Sequence, residues 1–334
     1  MRRISWPTVA LLGGALLLVV ATILYVAPSD QYILLPDEPR ALDPLVGVRG
    51  ERPNTDAGGI YYVAVDVRKA SLLEELFPSL QEGSTLVPNK VFNPTGVDEK
   101  VRRRAELRQM QRSQRYAAAV ALKALGFPVR IEPMGGRVAQ TLRGYPARGK
   151  LRAGDVIVSI DGRPVTVPDD LTRILGEHEP GETIALRVRR RGREREVKIR
   201  TVPNPSNPLI PFLGIELAEP KITLPFPVKF DLGQVGGPSA GLAFALDLAE
   251  ELGRDVDRGR RVAATGEIGL DGSVRPVGGI KQKTIGAREA DMDLFLVPGD
   301  NAAEARRYAD DLRVVPVDSY QQALQVLATA RESS

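Results

Sequence analysis

Residues 233–252 read GQVGGPSAGLAFALDLAEEL, and Gly237-Pro238-Ser239-Ala240-Gly241 within them fits G-x-S-x-G. That pattern sets a serine on a sharp turn at the start of a helix. The free N–H groups at a helix N-terminus favour an oxyanion growing beside them. Ser239 is therefore a candidate nucleophile. It could equally be a helix N-cap with no chemistry, and the pentapeptide alone does not separate these readings.

A nucleophilic serine needs a proton acceptor. The chain has no cysteine and a single histidine, His178, which lies upstream in a Gly-Glu-His-Glu-Pro stretch. An α/β-hydrolase places its histidine after the serine, so a Ser–His–Asp triad is poorly supported. Lysine is the remaining base known to activate serine, provided its amine is neutral. A free lysine titrates near 10.4, and full burial lowers this by about 3–5 units. Only Lys281 and Lys283 follow Ser239, both in RPVGGIKQKTIGAREADM. Read as a helix after Gly278-Gly279, this segment puts Ile280, Lys283, Ala287 and Ala290 on one apolar stripe. Lys281 falls with Thr284, Ile285 and Arg288 on a mixed face nearer solvent. The non-catalytic account of Lys283 is a snorkelling side chain.

Other chemistries are poorly served. Without cysteine, and with one histidine, thiolate and histidine metal clusters are excluded, and no metal or other cofactor is expected. Gly144 to Lys150 satisfies G-x-x-x-x-G-K, but Leu151 stands where a phosphate loop needs Ser or Thr for Mg²⁺, so nucleotide binding is not expected. The net charge is +4, and its most visible source is LRVRRRGREREVKIR, residues 186–200. Alternating apolar residues and a turn at Gly192 make this a two-stranded ribbon with a solvated basic face. No aromatic residues interleave with the arginines, so nucleic acid is not an expected partner.

The elements that position these residues begin with an uncharged run at 6–27, long enough for a membrane-spanning helix. Arg2 and Arg3 precede it. The positive-inside tendency then keeps residues 1–5 cytoplasmic and sends the rest across a cell membrane as a single-pass protein. A cleaved signal peptide is the alternative. Residues 28–123 read as a Pro- and Asp-rich stalk to about 58, a strand, and two helices. The strand lies in IYYVAVDVR, where Tyr61, Val63, Val65 and Val67 alternate. A short helix follows, 71–80, with Ser71 as cap and Glu74 three residues on. A long amphipathic helix over 98–125 carries Val101, Leu107, Met110, Ala117, Ala121 and Leu125 on its apolar side. Arg102, Arg103, Arg104 and Arg112 fall on its solvated side.

Residues 124–203 resemble a PDZ domain, most clearly in KLRAGDVIVSIDGRPV around the Gly-Asp pair. In that family the amides of a Gly-Leu-Gly-Phe-like loop hold a peptide carboxylate, which the resemblance places at Leu125, Gly126 and Phe127. The loop departs from the pattern, with Ala124 in place of the first glycine and Pro128 removing a strand amide. A module that only contacts its own catalytic domain is the other reading.

GPSAG, then TGEIGLDGSVRPVGGIKQK, then LFLVPGDN, in that order across 210–330, resemble the proteolytic domain of the Lon family. The resemblance implies Ser239 as nucleophile, Lys283 as base, Thr265 as the partner that orients the lysine amine, and Gly237 in support. With the anchor and the PDZ module, the whole is similar to membrane-anchored Lon-like PDZ proteases of bacteria. The expected fold class is α+β multidomain: an N-terminal transmembrane helix, a β-rich PDZ-like domain and an α/β Lon-type domain. The expected function is ATP-independent endopeptidase action on flexible segments of extracytoplasmic or membrane proteins. The resemblance also implies a homo-oligomer, hexamers being common among such peptidases. A catalytically silent PDZ adaptor is the rival function, and a serine-dependent esterase a second.

Overall fold

The computed structural model describes residues 6–43, 46–48, 58–93, 98–205, 207–233 and 235–329, with backbone alone at 6–10 and 46–48. Residues 1–5, and the cytoplasmic placement expected for them, lie outside these. At the centre is a five-stranded sheet. Gly59–Tyr62, Arg261–Ala264, Leu294–Pro298 and Arg313–Val317 run parallel in that order, with Arg40–Ala41 antiparallel on the outer edge. A parallel sheet covered on both faces uses continuous apolar strands, as in Leu294-Phe295-Leu296-Val297. Val262, Ala264, Leu294 and Leu296 face one core, shared with Leu242, Phe244 and Leu246 of the serine helix Gly241–Glu251. Ala263, Phe295 and Val297 face the other, shared with Ile280 and Ala287 of the lysine helix Ile280–Glu289. The serine and lysine helices thus lie on opposite faces of one sheet.

Of the stretch 28–58 expected to be a stalk, the described residues 28–43 are built into sheets. Pro28–Pro36 is the middle strand of a three-stranded sheet, between Val65–Ser71 and Thr85–Pro88. The chain then crosses the lysine helix so closely that a Cβ on Gly286 would stand 2.3 Å from the Asp37 carbonyl oxygen. The alternation over 61–67 is also two strands, not one. Gly59–Tyr62 enters the central sheet, Val65–Ser71 enters the small one, and the chain turns at Val63-Ala64. The capping box at Ser71 and Glu74 forms, but the α-helix it opens is short, Leu72–Leu76, followed by a 3₁₀ turn Pro78–Leu80.

The N-terminal helix runs Trp6–Val26, 21 residues. Counted over described residues only, no helix is long and apolar enough to cross a membrane; the described side chains of this one begin at Leu11.

The long helix runs Glu99–Ala124, capped by Asp98, and its second half is buried against the serine helix through Met110, Ala117, Ala118 and Ala121. Val101, counted on the apolar side, is 50% exposed. Two of its arginines are not simply solvated. Arg102 lies over the rings of Tyr32 and Phe92 at 5.0 and 4.7 Å, and Arg112 pairs with Glu267 at 3.2 Å.

The PDZ-like region has its own core, built from Val138, Ile157, Ile160, Leu171, Ile174, Leu186 and Val188. Its sheet contains Gly136–Thr141, Val156–Ile160, Thr183–Arg190 and Arg193–Arg200, with the helix Pro168–Gly176 packed across it. The last two strands pair over their full lengths as the sequence predicts. Because residues on both sides of this module enter the central sheet, it is an insertion into the α/β fold. Asp169, in the first turn of its helix, is buried and tied to Arg275 and to the Leu270 amide of the α/β domain.

Candidate active site

Two parallel strands of the central sheet end side by side, Gly59–Tyr62 at Val63 and Arg261–Ala264 at Thr265. Carboxyl ends of parallel strands are where α/β folds gather chemistry. Lys283 arrives there from one face of the sheet and Ser239 from the other. The Lys283 Nζ lies 3.0 Å from Ser239 Oγ and donates to the Val63 carbonyl oxygen at 2.5 Å.

Lys283 is 2% exposed, and burial pushes its pKa down to about 7. Among the described residues no carboxylate pairs with it to restore the charged form. A primary amine in this setting is neutral in a large fraction at physiological pH, which a surface lysine is not. Lys281, two residues earlier and on another side of the helix, donates to the Ser84 carbonyl oxygen at 2.8 Å and lies over the Tyr308 ring. It ties the helix to the turn before Thr85–Pro88 and does not approach Ser239. The face it occupies is mixed: Lys281 and Arg288 are half-exposed, whereas Thr284 and Ile285 between them are buried.

Ser239 is not an N-cap. The cap residue of the serine helix is Ala240, and no side chain makes the capping bond. The Ser239 carbonyl oxygen is held from two sides, by the Gly266 amide at 2.8 Å and the Thr265 hydroxyl at 3.1 Å. Thr265 is fully buried, so this bond satisfies a hydroxyl that water cannot reach. It orients the serine turn and not the lysine amine, which departs from the role implied by resemblance. The amine is positioned by Val63, a backbone acceptor that no motif marks.

Gly237 adopts φ +87 and donates its amide to the Glu106 carbonyl oxygen at 3.0 Å. Ser113 Oγ donates to the Pro238 carbonyl oxygen at 3.0 Å. The long helix therefore fixes the loop before the serine, a role the amphipathic pattern alone did not reveal. Gly237, Ser239 and Lys283 line an open cleft of about 1490 Å³ together with Val65, Val67 and Leu232. His178 pairs with Glu182 on the PDZ-like module and has no place in the site.

Leu125, Gly126 and Phe127 lie elsewhere, at the end of the long helix. Their amides donate to the carbonyls of Ala121, Lys123 and Leu122, closing the helix C-terminus. They are not presented to a peptide carboxylate in this conformation.

Residues 233–330 match the family model of the Lon protease (S16) C-terminal proteolytic domain, and residues 123–201 match that of the PDZ domain. The chain contains a Lon-type proteolytic domain and a PDZ domain. It is 41% identical over 86 residues to Lon protease 1 of Myxococcus xanthus, covering 25% of this chain and 10% of that protein. Against Lon protease 1 of Sorangium cellulosum it is 48% identical over 69 residues, 20% of this chain and 8% of that one. The chain thus spans about a tenth of these curated relatives. Among solved structures, the PDZ domain of an SdrC-like protein from Listeria innocua is 23% identical with a TM-score of 0.24, covering 25% of this chain and 94% of that domain. The Lon-type domain supports a serine peptidase. The matched stretch includes Ser239, Thr265 and Lys283, while Val63 and Glu106 fall outside it.

Proposed function

We propose that this chain is an ATP-independent serine endopeptidase in which Ser239 and Lys283 form the catalytic dyad. The observation that carries this is the buried amine of Lys283 at 3.0 Å from the Ser239 hydroxyl in an open cleft. The neutral amine accepts the Oγ proton as Oγ bonds to the peptide carbonyl carbon. Backbone amides at the start of the serine helix hold the resulting oxyanion. Gly237 supplies the bend before them and not a donor, since its amide already serves Glu106. The ammonium then returns its proton to the departing amine, leaving an acyl-serine. Water, deprotonated by the same amine, releases the acid. Cleavage of an unfolded casein-like protein by the full-length chain in detergent tests this. Ser239→Ala is expected to reduce product release to background, and equal rates for the two proteins would leave the adaptor reading in its place.

ATP independence is supported by the only phosphate-loop-like stretch in the sequence. Leu151 is buried in the PDZ core at 2% exposure, and the residues before it form a turn with no helix after them. No helix N-terminus is available there for a phosphate. The substrates that fit such an enzyme are peptides and already flexible segments of proteins.

Anchoring in a membrane is supported by the sequence of the uncharged run at 6–27, since about 20 apolar residues suffice to span a bilayer. The sequence there carries no charge, and the described side chains project outward, Leu11 at 74% and Leu17 at 72% exposure. With Arg2 and Arg3 on the cytoplasmic side, the catalytic cleft faces away from the cytoplasm. Protease added to intact spheroplasts is expected to digest the bulk of the chain, and carbonate washing to leave undigested protein in the membrane. Protection would reverse the topology, and release into the carbonate wash would favour a cleaved leader. A homo-oligomer, hexameric by analogy with Lon-like peptidases, completes the proposal.

A further inference from the structure

The strands that follow the Leu125-Gly126-Phe127 turn have one long edge, and the chain covers that edge with itself. Starting from the Leu213 carbonyl, which accepts from the Ala147 amide, the segment runs antiparallel along the module. The Gly214 carbonyl accepts from Leu142, Ile215, Glu216 and Leu217 pair with Thr141, Gln140 and Val138, and the Ala218 amide donates to Arg137. Lys221, Ile222 and Thr223 then pair with Glu132, Ile131 and Arg130. Phe226 finally meets Phe127 edge-on, with ring centroids 5.4 Å apart.

This strap also lies beside the helix Pro168–Gly176. A Cβ on Gly136 would touch both Leu171 Cδ1 and Leu217 Cδ2, so those two side chains flank one strand position. Ile222 shares an apolar cluster with Ile131 and with Val167 at the start of the same helix. The strap therefore sits between strand and helix, with alternate residues Ile215 and Leu217 turned inward and Glu216 exposed. Its C-terminal direction points toward the Leu125–Phe127 turn, as an added peptide's would. Unlike a peptide terminus it continues past that turn.

We propose that residues 213–226 are an internal ligand of the PDZ domain, and that an extended peptide of apolar-x-apolar pattern binds only by displacing them. The strap leads straight into the catalytic cleft. Beyond Phe226, Val228, Phe230 and Leu232 pack on the serine-helix core, and Leu232, Val235 and Gly237 form cleft wall. Displacement at the PDZ edge would thus loosen the wall beside Ser239, which makes the groove a regulatory input and not a simple tether.

The chain lacks cysteine, so a lock can be installed cleanly. Gln140 and Glu216 face each other across the ladder and are both exposed. Directly opposed strand residues bring their Cβ atoms to about 4.5–5.5 Å, near what a disulfide accepts. Full-length Gln140→Cys/Glu216→Cys protein in detergent is titrated with a fluorescent peptide of sequence LGIELAEPKITL, copied from residues 213–224. Binding is expected to be at least tenfold weaker when the disulfide is closed than after reduction, and tighter than wild type in Leu217→Lys, whose charge is expelled from the groove. Equal binding by locked and reduced protein overturns the proposal, as does absence of binding to both the reduced protein and Leu217→Lys. This readout does not depend on whether the chain cleaves peptides, so it fails or succeeds separately from the peptidase reading.

Discussion

Lys283→Ala is expected to lower kcat/KM for peptide cleavage by roughly 10³-fold or more, the scale for loss of a general base that acts as one unit with its nucleophile. Lys281→Ala is expected to keep most of the wild-type rate. The two residues are separated by one position and share the same charge in water, so the contrast isolates position. Lys283 reaches Ser239 Oγ at 3.0 Å, whereas Lys281 ends on the Ser84 carbonyl in the turn before Thr85–Pro88. Comparable loss in both variants would mean that the lysine helix merely braces the fold. The pH profile adds a second check. Only the neutral amine accepts a proton, so kcat/KM should rise with pH through an apparent pKa near 7, not near 10, because burial lowers the Lys283 value to about 7. The stability consequence has the same origin. Between about 7 and the free-lysine value the unfolded chain holds a proton that the folded chain does not, so wild-type stability should rise with pH across that window. Lys283→Met should lack this slope, as followed by thermal unfolding at pH 7 and pH 9.

Much of this site was legible in the sequence because its parts are local. Gly-Pro-Ser-Ala-Gly specifies a turn at a helix start, and an amphipathic stripe picked Lys283 over Lys281. Both inferences use residues a few positions apart. The acceptor for the lysine amine was not legible, because Val63 offers only a backbone carbonyl at a break between two strands, 220 residues away. An alternating run hides such a break, since Val63 and Val65 keep the period of a single strand. Thr265 was placed at the site but on the wrong partner, for a hydroxyl gives no sequence sign of which acceptor it faces. The mistaken stalk has a different cause. Pro and Asp suggested exposed linker, yet Pro28 and Pro36 sit at the two ends of a strand, where the missing amide is tolerated. The solvated side of the long helix was misjudged at Arg102, whose guanidinium lies over Tyr32 from that same segment and over Phe92. Tertiary contact with residues thought to be linker is what periodicity cannot supply.

Gly266→Ala is expected to cost about 100-fold in kcat with little change in KM, the scale of an ångström-sized misplacement of a reacting group. Gly266 holds both sides of the serine turn. Its amide donates to the Ser239 carbonyl at 2.8 Å, and its own carbonyl accepts from the Leu242 amide at 3.1 Å. It does this at φ +151, a conformation side-chain-bearing residues rarely adopt, and a Cβ there would stand 2.5 Å from Val274 Cγ1. Alanine must therefore either push the Val274 strand away or rotate the Gly266 peptide, and rotation releases Ser239. Backbone strain of about 1–3 kcal/mol, with local overpacking of similar size, should also lower the melting temperature. The double variant Gly266→Ala/Val274→Ala separates these terms. Removing the Val274 methyls relieves the contact but not the backbone angle, so part of the stability should return while kcat stays low. Full recovery of kcat in the double variant would assign the defect to crowding alone, and the two hydrogen bonds would then not be what places the serine within reach of Lys283.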